Sequence, residues 1–100
     1  MFDSPRYVTS GVNAAVDETI QLAIWHLIDS FDTALPQDYM QVFDLSMIGQ
    51  VENPVQKIVH KQEEPPYCRE YIFNNVEAID AKIFVIDDET HSTMLLAEEY

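Results

Sequence analysis

The chain has 100 residues, 47% of them hydrophobic, with five Lys or Arg against eighteen Asp or Glu and a formal net charge of −13. That is the size of one small domain, expected to span residues 1–100, and its apolar content excludes wholesale disorder. The charge excludes direct binding to nucleic acid or to an anionic membrane, where Lys and Arg must neutralise phosphate, and a single cysteine, Cys68, excludes an internal disulfide and a multi-cysteine zinc site.

The N-terminal MFDSPRYV has neither a basic segment nor the apolar run of a signal peptide. No stretch approaches the ~20 apolar residues of a membrane helix, so the expected location is the cytoplasm. Arg6 to Ser10 is rich in strand formers and follows Pro5, which predicts a short first strand. Gly11 ends it, and Gly11-Val12-Asn13 reads as a turn or the approach to a helix.

From Asp17 the period changes. Val16, Ile20, Ile24, Leu27, Ile28 and Phe31 recur at three- and four-residue spacing, the stripe of an amphipathic helix from Asp17 to about Asp32, ending before Pro36. Leu22 and Trp25 widen its apolar face. Asp17 is the candidate N-cap, and Asp17 and Glu18 both suit the positive end of the helix dipole.

Strand patterns fill the rest. Tyr39 to Ile48 is one, broken by Gly49 to Pro54. Val55 to Gln62 follows, with Val55, Lys57, Val59 and Lys61 on one face and Ile58 and His60 on the other. Pro65-Pro66 separates it from Tyr67 to Phe73. The last hairpin joins Ile83 to Ile86 with Met94 to Ala97 across the polar turn from Asp87 to His91. Its two runs are continuously apolar, which predicts cover on both faces and a place at the centre of the sheet. The expected core is Ile24, Ile28, Phe84, Ile86, Leu95 and Leu96. The fold class is α+β, with one main amphipathic helix packed on a mostly antiparallel sheet of about five to six strands.

No motif specifies a chemistry. His60 and His91 could meet if their strands were neighbours, which would suit an acid–base pair or a weak metal site beside Glu63 or Asp88. Ordinary hydrogen-bonded histidines are the simpler reading. Cys68 stands beside Arg69, whose guanidinium could activate a thiol, with His60 as the base a nucleophile would need. A structural cysteine is the simpler alternative. The three histidines have no close ligand spacing, so no metal and no cofactor are expected. Asp87, Asp88 and Glu89 resemble a calcium cluster only in charge, lacking the spread of ligands and the glycine of such a loop. They form instead the candidate interaction edge, suited to an unknown, basic protein partner. The many aromatics on strands, without cations to track phosphates, point to core packing or a protein interface rather than a nucleic-acid platform.

Taken together, RYVTSGVN, QLAIWHLID, YMQVFDLS, VHKQEEPPY and AKIFVIDDETHSTMLLAEEY resemble a domain-of-unknown-function family of short Firmicutes proteins first catalogued in staphylococci. The resemblance implies a cytoplasmic Gram-positive protein complete at about this length, and it carries over no activity, cofactor or catalytic residue. Where the family pattern leads one to expect a proline at the first helical turn, this chain has Val16-Asp17. The resulting expectation is a non-enzymatic protein-interaction or accessory domain. Two alternatives stand beside it: an acidic decoy for the nucleic-acid cleft of another protein, and a small enzyme or metal protein using His60 and His91.

Overall fold

The computed structural model describes residues 1–31 and 34–100. The 3.6-residue stripe forms a helix, α2 (Glu18–Asp29), and all six stripe residues are buried. Leu22 departs from the expectation: it is exposed, because it lies beyond the width of the face that meets the sheet. Trp25 packs against the rim of the core. Asp17 is the N-cap residue, although its side chain makes no capping bond. The helix ends at Asp29, with the Ser30 amide still bonded to the His26 carbonyl. The expected end at Asp32 lies outside the described residues.

A second helix, α1 (Ser10–Ala15), takes up the expected strand end at Ser10 and the Gly11-Val12-Asn13 segment that reads as a turn or the approach to a helix. Thr9 caps it, its hydroxyl accepting from the Val12 amide at 3.2 Å. That bond satisfies one of the free donors of the first turn. Six residues are too few to show a helical period, which is why the sequence pattern does not reveal it. The single main helix of the sequence reading is therefore a pair.

The strands are β1 (Arg6–Val8), β2 (Met40–Gln50), β3 (Asn53–Gln62), β4 (Tyr67–Phe73), β5 (Ala81–Asp87) and β6 (Ser92–Leu96), in one six-stranded sheet ordered β1-β6-β5-β2-β3-β4. Every neighbouring pair is antiparallel except β1 with β6, where Arg6, Tyr7 and Val8 lie beside Ser92, Thr93 and Met94 in parallel. The middle of the sheet is β5 with β2. The terminal hairpin is thus off centre, with β6 second from the edge. Gly49 to Pro54 does not break β2 from β3; the ladder runs on to the pair Gln50–Asn53. Gly49 has a φ of +89°, left-handed backbone that glycine adopts without steric cost.

Both helices lie on one face of the sheet. Beneath them Phe43, Leu45, Ile58, Ile83, Val85 and Met94 join the stripe from Val16 to Ile28, Val12 and the N-terminal Phe2 in a single core. Neither α1 nor α2 lies on the other face, which Tyr100, following a short 3-10 turn at Ala97–Glu99, meets at Phe84. Ile24 and Ile28 are buried as expected, but Phe84, Ile86 and Leu95 are only half-buried, because strand alternation points them to the uncovered face. Leu96 points inward but is half-buried at the sheet's end. Continuous apolar runs therefore do not mark strands covered on both sides here.

Candidate functional site

His60 sits on β3, fully buried under the helices, with its ring stacked on Phe43 at 4.3 Å between centroids and edge-on to Phe31 and Tyr67. Its Nε2 lies 2.6 Å from Gln41 Oε1. The Gln41 amide donates to the Asp38 carbonyl and to Gln62 Oε1, each at 2.8 Å, so its oxygen is the acceptor and His60 Nε2 is the donor. Gln62 in turn accepts from the Asp38 amide and donates to the carbonyls of Pro36 and Pro65. This chain of side chains fastens the residues before β2 and after β3 to the sheet. His60 Nδ1 is left without a hydrogen-bond partner among the described residues. Burial pushes the imidazole pKa down to about 4, so the ring is neutral at physiological pH.

His91 stands elsewhere, in the turn from β5 to β6. Its Nε2 is 3.1 Å from Asp88 Oδ2 and its ring lies edge-on to Tyr7. Among the described residues His60 meets Phe31, Phe43, Tyr67 and Gln41 while His91 meets Tyr7 and Asp88, so the structure does not bring the two together. Asp88 is the centre of that turn: its Oδ1 accepts from the His91 amide at 2.8 Å and from the Thr90 hydroxyl and amide. Those bonds, the His91 amide first, hold its carboxyl below the usual carboxylate range. Asp87 accepts from the amides of Glu89 and Phe2, and Ser4 donates to the Glu89 carbonyl, so the same turn anchors the N-terminal segment. Glu89 itself holds a φ of 78°. The three acidic residues are exposed or half-exposed together, with the two aspartates already engaged.

Cys68 is exposed on β4 and points away from His60. It pairs across the strands with Lys61, while His60 pairs with Arg69, which puts thiol and imidazole on opposite faces of the sheet. Among the described residues no three His, Cys, Asp or Glu side chains come together as metal ligands, and no helix is long and apolar enough to cross a membrane.

The candidate site is instead the uncovered sheet face. Register places Tyr7 and Thr93, Leu95, Phe84 and Ile86, Met40 and Val42, Val55 and Val59, and Ile72 on it, and none of these is buried. Tyr100 reaches over its edge and meets Phe84 edge-on at 5.5 Å. Three of the five basic residues, Lys57, Lys61 and Lys82, lie on this face with Asp44 and Glu70. Lys61 and Asp44 pair at 2.5 Å, and Lys57 and Glu70 at 3.3 Å. The Asp44 carboxylate holds the Lys61 ammonium above its ordinary pKa. Lys82 is the cross-strand neighbour of Asp44, whose carboxylate is taken by Lys61. The face thus combines apolar side chains with two ion pairs and three lysines against two carboxylates. The alternation of Val55, Lys57, Val59 and Lys61 marks one of its strands in the sequence; what it cannot mark is that α1 and α2 both pack on the opposite side.

No curated protein matches the chain. Among solved structures, one described as the crystal structure of a protein of unknown function from Enterococcus faecalis is similar, with a TM-score of 0.78 and 25% identity over 98% of this chain and 92% of that one. A family model described as "Staphylococcal protein of unknown function (DUF960)" matches residues 5–99, and the chain belongs to that family.

Proposed function

We propose that this protein is a non-enzymatic interaction domain that docks another protein surface through the uncovered face of its sheet. The observation that carries the reading is the row of Leu95, Phe84 and Val42 across three adjacent strands, apolar and with neither α1 nor α2 over it. Water against such a row is unfavourable at roughly 25 cal/mol per Å² of apolar surface, which a partner recovers on contact. The acidic turn is the poorer docking edge, since the Asp87 and Asp88 carboxylates are committed to backbone amides. A catalytic role for His60 or Cys68 has no support in their placement, one sealed from solvent and the other without a base.

A photo-reactive phenylalanine analogue placed at Ile72 tests the reading in the native host, against the same group at Leu22 on the exposed side of α2. Protein adducts from position 72 that Val59→Arg abolishes, with few from position 22, are the expected outcome. Equal adducts from both positions, or adducts indifferent to Val59→Arg, overturn it.

A further inference from the structure

The charge on the uncovered face restricts what can cover it. The chain as a whole is strongly negative, so two copies repel one another across most approaches. This face alone gathers three lysines against two carboxylates. We propose that its occupant is a second copy of this chain, packed sheet on sheet about a two-fold axis parallel to the strands and between β2 and β3. The inference rests on the docking reading above and names the partner.

The register supplies the complementarity. Lys82, Asp44, Val59 and Glu70 form one row across β5, β2, β3 and β4. A two-fold axis parallel to the strands keeps height along the strand and reverses strand order. It sets Lys82 of each copy opposite Glu70 of the other, twice, and Asp44 opposite Val59. Lys82 is exposed, and the Glu70 side chain is 63% exposed with Lys57 on one of its oxygens, so both can be reached from solvent. Near the axis the two Lys61–Asp44 pairs lie side by side, each already neutralised. In the neighbouring row Phe84 faces Cys68 and Val42 faces the Lys61 stem, which adds apolar contact beside the ion pairs. Four strands oppose one another about this axis, β5 and β2 over β4 and β3 of the other copy, while β6 and β1 lie beyond the contact.

Two like-charged copies joined by an apolar face associate more tightly as salt screens their net repulsion. A basic partner would show the opposite trend. Sedimentation equilibrium of the full chain over a micromolar to sub-millimolar series, at low and high salt, reads this directly. A monomer–dimer equilibrium that tightens with salt is expected. Lys82→Glu and Glu70→Lys should each weaken it roughly tenfold or more, and the double reversal should restore it, with circular dichroism confirming that every variant is folded. The rate of Cys68 modification, on the same face, should fall as the dimer forms. A dimer indifferent to both reversals overturns the proposal. So does a chain monomeric throughout. In that case adducts from position 72 to a different protein leave the docking reading standing, and their absence removes it too.

Discussion

The two faces of the sheet are built from the same strands and differ in what covers them. Under the helices lie Gln41, Gln56, His60 and Gln62, four polar side chains fully or nearly buried beside Phe43 and Ile58. On the bare face lie Phe84, Leu95, Val42 and Ile72, apolar and half or fully exposed. Polarity is therefore a poor guide to which face is inside. The glutamines are tolerated because each amide is engaged: the two Nε2 hydrogens of Gln56 are shared among the carbonyls of Ser46, Lys57 and Ile79, and its Oε1 accepts from the Ile79 amide. A buried polar group with its bonds made costs little, and its bonds here pin the connection between β4 and β5 to the core.

The sharpest break of the comparison is a pair of truncations. Phe43→Ala, on the covered face, should cost about 3–5 kcal/mol, the range for deleting a buried aromatic side chain. Phe84→Ala, on the bare face, should cost about 1 kcal/mol in the monomer, the centre of the distribution for ordinary sites. Denaturant unfolding at a concentration where the chain is monomeric measures both. Equal losses would mean that the bare face is covered within the chain itself.

A smaller effect comes from His60. Its folded pKa of about 4 lies below the ordinary 6.5, so the unfolded chain takes up the proton first as pH falls. Stability from this group is whole above pH 6.5, declines between 6.5 and 4, and changes no further below that. The full loss is about 3 kcal/mol. His60→Gln, which keeps a donor for Gln41, should flatten the difference in unfolding free energy between pH 7 and pH 4.5 relative to the parent. The carboxylates of Asp29, Asp88 and Glu99, held low by Arg6, the His91 amide and the Thr9 hydroxyl respectively, lose their contribution at lower pH and do not account for that window. An unchanged difference in the variant would remove His60 as its source.

The smallest expected effect separates the members of the acidic turn. Asp88→Ala should lower the melting temperature, because the His91 and Thr90 amides lose their acceptor. Glu89→Gln should leave it unchanged, since the side chain builds nothing in the turn. Matching melting curves for the two variants would show that the turn holds its shape without the Asp88 carboxylate.

Much of this architecture is legible locally. The α2 stripe, the β3 alternation and the strand at Tyr67–Phe73 follow from side-chain period, because a helix and a strand repeat at different intervals. Sheet order does not follow from period. The parallel pairing of Arg6–Val8 with Ser92–Met94 joins the two ends of the chain, and nothing in either segment encodes the other. Nor does sequence separate His60 from Cys68 as candidate partners, since that requires knowing that β3 and β4 pair in a register that turns them to opposite faces. The sequence by itself determined the types of the longer elements, though not the short α1, and with them the α+β class and the acidic charge, all of which depend on residues close in the chain or on their simple count. Only the tertiary structure decided that both helices lie on one side of the sheet. That choice depends on where distant segments pack, and it leaves the apolar residues of β5 and β6 half in solvent.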